Sequence, residues 1–122
     1  MIFDQLRDVF AAMDFIKKRV KPDGGDLSHV YMVGDSGGAC LITYANAIQN
    51  SYKIAKAAGV KPSDLHVSAL GLISGMFYTT KFDKIGLFLP KFLYGKNYKK
   101  TPFFKYVNPE NKELVNSLAP AW

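Results

Sequence analysis

Apolar side chains return at Leu6, Val9, Phe10, Met13, Ile16 and Val20, a spacing of three and four that predicts one face of an amphipathic helix over residues 3–20. The stretch KPDGGDLS breaks it with Pro22, Gly24 and Gly25. HVYMV, residues 29–33, is a run of β-branched and aromatic residues that ends directly at Gly34. An almost unbroken apolar run of this length predicts a central parallel strand, buried on both faces. Beyond Gly38 the period changes. Leu41, Ala45, Ile48, Tyr52 and Ala55 share a helical stripe, and Gly59 follows closely enough to cap its C-terminus. GVKPSDL then reads as a loop and HVSALGLIS as a second strand. The order helix, strand, helix, strand predicts an α/β fold with a parallel sheet and a right-handed crossover.

From residue 82 the pattern is different. Phe82, Ile85, Phe88, Leu89, Phe92 and Leu93 fall on one helical face, which Pro90 interrupts, so a kink or two short helices are expected. NYKKTPFFKYVNPEN reads as loop, with Pro102 and Pro109 as breakers. NKELVNSL suits one short helix before the terminal APAW.

Composition narrows the class. The 122 residues suit at most one domain, and 9 Phe, 7 Tyr and 1 Trp are enough aromatic mass for a real core. No apolar run approaches the roughly 20 residues that span a bilayer. The N-terminal segment carries Asp4, Arg7 and Asp8, unlike the apolar centre of a signal peptide. A lone cysteine, Cys40, rules out an internal disulfide and fits a reducing, cytoplasmic setting. Sixteen basic against ten acidic residues give a net charge of +6. The excess is local: seven lysines and one acid, Asp83, lie between Lys81 and Lys105. A solvated lysine-rich face is the expected reading, with attraction of an anionic substrate or lipid surface behind it. No nucleic-acid motif accompanies the charge, and neither nucleic acid nor a membrane is an expected partner. No metal or other cofactor is expected.

The candidate chemistry lies at Gly34-Asp35-Ser36-Gly37-Gly38. These letters satisfy both G-x-S-x-G, the turn that carries the serine of α/β-hydrolases, and the GDSGG around the serine of trypsin-like proteases. The flanks decide between them. A nucleophile elbow needs a strand before the serine and a helix after it, with glycines where backbone is strained and elements touch. Both flanks are predicted here. A trypsin-like site would need disulfide cysteines and a histidine far upstream, whereas His29 stands only seven residues before Ser36.

With strand, elbow and helix in place, the chain resembles the middle of an α/β-hydrolase of the acetyl-esterase, hormone-sensitive-lipase-like group. Asp8, Ala11, Ala12 and Phe15 match the helix that precedes the nucleophile strand in that group, and Gly34-Asp35-Ser36 with Gly38 match its G-D-S-A-G-G elbow. Gly37 and Ala39 are departures from it. The resemblance covers roughly Phe3 to Tyr78. It implies Ser36 as the nucleophile of a serine carboxylic-ester hydrolase, the Gly37 N–H as an oxyanion-hole donor, and Asp35, with Gly34 and Gly38 in the elbow, as a structural or entrance residue rather than the triad acid. It also implies residues 1–80 as the centre of the core, 81–113 as a cap-like insertion, and 114–122 as a return toward the core.

The rest of such a site is missing. Its partners should follow in the order serine, acid, histidine, and an H-G-G-G-type loop should precede the first helix. The only histidine after Ser36 is His66, ahead of any plausible acid, and none follows it. His29, His66 and Cys40 read as structural residues. The chain is therefore expected to be an internal part of a hydrolase of roughly 250 to 300 residues. It would take a small ester as substrate, and would need either the remaining segments or self-association to cover apolar surface. The rival expectation is a truncated, non-catalytic remnant that serves as an interaction or structural protein.

Overall fold

In the structure, a computed structural model that describes residues 1–81 and 84–122, the elements follow the predicted order. Helix α1 (Ile2–Val20) precedes strand β1 (Tyr31–Asp35), helices α2 (Gly37–Asn50) and α3 (Tyr52–Ala58), and strand β2 (Ala69–Ile73). Helix α4 (Lys84–Tyr94), two short 3₁₀ turns at Tyr98–Lys100 and Pro102–Tyr106, and helix α5 (Lys112–Asn116) complete the chain. β1 and β2 are parallel, in a register that runs from Tyr31 opposite Ala69 to Asp35 opposite Ile73. The far edge of β2 is also paired. Leu70 N–H donates to Pro120 O at 2.8 Å and Trp122 N–H to Leu70 O at 3.0 Å, so the last residues form a parallel bridge to β2.

Helix α2 is the hub of the core. Ala39, Cys40, Ile42, Thr43, Tyr44, Ala45, Asn46, Ala47 and Ile48 are all buried, as expected of a helix surrounded by protein rather than amphipathic. α1 packs against it through Leu6, Phe10 and Met13. The single stripe predicted from Leu41 to Ala55 is broken at Ser51, whose extended backbone (φ −134°, ψ 113°) ends α2 and starts α3. Its hydroxyl accepts from Ile54 N–H at 3.3 Å and donates to Glu113 Oε1 at 2.9 Å. The break buries Ile54 and turns Tyr52, expected inside, to 80% exposure. Gly59 caps α3 as predicted, in the left-handed region at φ 63°.

Within residues 98–107, read from sequence as loop, Tyr98, Phe103, Tyr106 and Val107 are buried in the core. Phe103 is 1% exposed and meets the rings of Phe3 and Tyr44 edge-on, each at 5.2 Å between centroids. Tyr106 lies 5.9 Å from the Phe103 ring. Aromatic pairs at these distances add to what area burial alone contributes. α4 is one helix that continues through Pro90, rather than two. Its predicted face is divided: Leu89 and Leu93 turn inward, while Phe88 and Phe92 are 66% and 77% exposed. Phe82 and the side chain of Ile85 lie outside the described residues.

Two apolar surfaces expected to be covered are bare. Tyr31, Val33 and Ile73 share the side of the sheet opposite Gly34 and α2, and they are 61%, 68% and 53% exposed. Among the described residues no helix lies over that side, so the two-sided burial predicted for HVYMV is met on one side only. Phe15 and Ile16, toward the end of α1, are exposed as well. No described helix is long and apolar enough to cross a membrane.

The aromatic cluster sets a stability test. Phe103→Ala should cost about 3–5 kcal/mol in urea unfolding. Phe104→Ala, one residue on and 39% exposed, should cost no more than about 1 kcal/mol.

Candidate active site

Ser36 is the one residue between the end of β1 and the first residue of α2. Residue 34 is the reason the turn can be so short. A Cβ there would lie 2.5 Å from Gly38 O and 2.7 Å from Ala39 N, so only glycine lets strand and helix meet. Gly38 and Gly37 differ from it, since a Cβ at either would meet open space. The glycine requirement expected on both sides of the serine therefore holds at Gly34 alone. Gly38 contributes its backbone as the surface that Gly34 touches.

The tight turn puts Ser36 at φ 53°, ψ −115°, a region that L-residues avoid and that costs on the order of 1–3 kcal/mol. Neighbouring backbone holds it there. Ser36 N–H donates to Ile73 O at 2.9 Å, and Ser36 O accepts from Cys40 N–H and Met76 N–H, each at 3.4 Å. The residue is exposed at the C-terminal edge of the sheet. The first N–H groups of α2 lie beside it, where unpaired donors and the helix dipole favour negative charge. Asp35 ends β1 on the bare side of the sheet and is exposed. Beside the elbow is a cavity of about 360 Å³ whose walls include Gly37, Gly38, Leu41, Met76, Leu89 and Leu93.

Both histidines are at the other pole. His29 lies in the turn before β1 and His66 in the segment before β2, whereas Ser36 follows β1. A five-residue strand separates the poles by roughly 16 Å, beyond any hydrogen bond to the Ser36 hydroxyl. His29 does have an acid and a serine beside it. Its Nδ1 lies 2.6 Å from Asp26 Oδ2 and 3.1 Å from Ser28 Oγ. Both contacts use the same ring nitrogen, whereas a catalytic triad needs the acid on one nitrogen and the serine on the other. The Ser28 hydroxyl, and after it His29, hold the Asp26 carboxyl far below the usual carboxylate range. This cluster is a turn stabiliser.

One buried polar group near the elbow was not legible in the sequence. Tyr44 and Tyr94 hydroxyls are 2.9 Å apart, Thr79 Oγ1 is 3.0 Å from Tyr94 OH, and the Cys40 thiol sits against both phenols. It joins α2, α4 and the segment after β2, which are far apart in sequence. Cys40 also walls the elbow cavity and a second one of about 240 Å³ lined by Tyr44, Leu72, Phe77, Leu114 and Leu118. Burial pushes the Cys40 thiol up to about 11 and the Tyr94 phenol up to about 12, and raises Tyr44 as well. A thiol so placed is inert at neutral pH.

The sequence of strand, one-residue turn and buried helix, with a second parallel strand bridged at its far edge by the last residues, matches part of an α/β-hydrolase fold. Solved structures similar to it are those of esterase B from Lactobacillus rhamnosis. Its structure with a C4-C4 SN3 tributyrin phosphonate superposes with a TM-score of 0.80 at 22% identity, over 98% of this chain and 38% of that one. Esterase B of strain HN001 gives 0.76 at 23% identity, over 98% and 39%. The C6-C4 SN3 inhibited form gives 0.73 at 22% identity. The chain thus spans about two fifths of the length of esterase B. No family model matches the sequence, and no curated protein matches it.

Two outcomes test this geometry. In thermal melts Gly34→Ala should lose about 1–3 kcal/mol through overpacking, while Ser36→Gly, which relieves the strained φ, should be at least as stable as the parent chain. Stability should also fall at alkaline pH. Cys40 and Tyr94 hold their protons more tightly folded than unfolded, so their contribution is complete below the ordinary thiol value of 9.0 and is lost as pH rises toward about 11 and 12. Urea midpoints between pH 8 and 11 should show the decline, with a shallower slope in Cys40→Ala.

Proposed function

We propose that the chain is the nucleophile-bearing part of a serine carboxylic-ester hydrolase, with Ser36 as the attacking residue. The observation that carries this reading is the exposed serine at φ 53° between a strand and a buried helix. Strain of this kind persists where surrounding structure over-determines it, and it clusters at reactive sites. In the proposed reaction Ser36 Oγ adds to the ester carbonyl as a histidine base takes its proton. The tetrahedral oxyanion is met by the Gly37 N–H at the start of α2. Collapse expels the alcohol and leaves an acyl-enzyme that water hydrolyses.

The histidine and its acid would come from segments beyond these 122 residues, because His29 and His66 sit at the wrong pole. Those segments, or a second copy of the chain, would also cover Tyr31, Val33 and Ile73. The elbow cavity suits a short acyl chain. Gly34 and Gly38 shape the turn, and Asp35 flanks the entrance. The similarity to esterase B supports the reading at the level of fold.

A second reading, a non-catalytic remnant with an interaction or structural role, is favoured by the same missing histidine. A fluorophosphonate probe and p-nitrophenyl acetate separate the two. In a hydrolase that includes the remaining segments, the probe should label Ser36, and Ser36→Ala should abolish both labelling and turnover. Absence of label there would sink the esterase reading. The 122-residue chain by itself should hydrolyse p-nitrophenyl acetate within a few-fold of its Ser36→Ala form.

A further inference from the structure

Helix α4 has two apolar faces, and only one is used. Residues 89, 90, 93 and 94 turn inward against the elbow cavity and the Tyr44–Tyr94 pair, with Pro90 and Tyr94 buried. Outside that inward set, Leu87 and Phe88 are 53% and 66% exposed, and Phe92, one turn beyond Phe88, is 77% exposed. Helices apolar all round are normally covered. Next to this ridge a groove of about 600 Å³ is lined by Lys81, Lys91, Lys96, Lys99 and Lys100, with Leu87 and Phe104 in its walls. All five lysines are exposed, and among the described residues none of their ammonium groups lies within 4 Å of a carboxylate. Lys81 rests 4.4 Å over the Tyr78 ring, and Glu110, bonded to the Tyr78 hydroxyl at 3.0 Å, marks the acidic limit of the patch.

We propose that this face docks on an anionic lipid surface, with Leu87, Phe88 and Phe92 entering the headgroup boundary and the groove lysines meeting lipid phosphates. Charge complementarity selects this occupant. A second copy of the chain meeting the face symmetrically would set lysines against lysines, with a net charge of +6 on each partner. A purely polar polyanion would leave the two phenylalanines unused. An interfacial helix combines an apolar ridge with flanking lysines, and its affinity has an apolar and an electrostatic part. The proposal stands apart from the esterase reading, since neither the ridge nor the groove lysines line the elbow cavity.

Vesicle flotation tests it. The chain should float with vesicles of phosphatidylglycerol and phosphatidylcholine, should stay behind with phosphatidylcholine alone, and should be released by salt. The triple variant Lys96→Gln/Lys99→Gln/Lys100→Gln should weaken partitioning by roughly a hundredfold. Phe88→Ser/Phe92→Ser should weaken it by roughly tenfold or more. All five changes are at exposed side chains, and unchanged melting curves would show that folding is intact. Equal binding to both vesicle types, or none, overturns the proposal. So does loss in the lysine variant with no loss in the phenylalanine variant, which identifies a plain polyanion surface. Loss of self-association, rather than of flotation, in the phenylalanine variant also overturns it.

Discussion

Strand β1 and helix α2 touch backbone to backbone where Gly34 meets Gly38, and the rest of the chain is arranged around that contact. It shortens the turn to one residue, which forces Ser36 into its left-handed conformation at φ 53° and turns the side chain away from the packed elements. It also lays α2 flat on the sheet, so that Cys40, Tyr44, Asn46 and Ile48 are buried along its length. The other elements attach to α2. Asn46 accepts from Ala119 N–H at 2.8 Å, Asn50 donates to Ser117 O at 2.8 Å, and Tyr44 meets Phe103 and Tyr94. The strained serine turn and the centre of the core thus depend on one contact without side chains.

What was legible in the sequence is what neighbouring residues decide. The elbow, the helix before it, the left-handed Gly59 cap and the two strands all follow from local spacing and from glycine. The misreadings have a common cause. Ser51 breaks a helix that periodicity would continue, because Glu113, remote in the chain, accepts its hydroxyl. The segment 98–107 carries loop-like breakers, yet Phe103 within it is buried because Phe3 and Tyr44 supply ring partners. On α4 the apolar positions were visible, while the choice of inward face depended on where Met76 and Gly38 lie. At the site, Ser36 and its glycines were legible. The Cys40–Tyr44–Tyr94–Thr79 group was not, since hydroxyls at such separations have no signature until the fold joins them.

The sheet divides the molecule into two chemically different ends. At the C-terminal edge of the strands lie the strained serine, the open start of α2 and an apolar cavity. At the N-terminal edge lie both histidines, one of them tied to Asp26. Parallel strands make this separation rigid, and no rearrangement of loops alone brings His29 to Ser36. The buried phenol and thiol group ties α4 to α2 and to the segment after β2. The position of the cavity wall is therefore fixed by groups that stay neutral through the physiological range.

The conformation of Ser36 also bears on how such a chain would change over many generations. A serine held at φ 53° is a standing thermodynamic debt, and glycine at that position removes it. Without a use for the hydroxyl, drift at codon 36 runs downhill toward glycine, and nothing in the packing resists it. Gly34 is under the opposite pressure, because any side chain there separates strand from helix whether or not the chain reacts with anything. The two positions, two residues apart, thus keep different records: residue 34 of whether the fold is maintained, and residue 36 of whether its hydroxyl has a use.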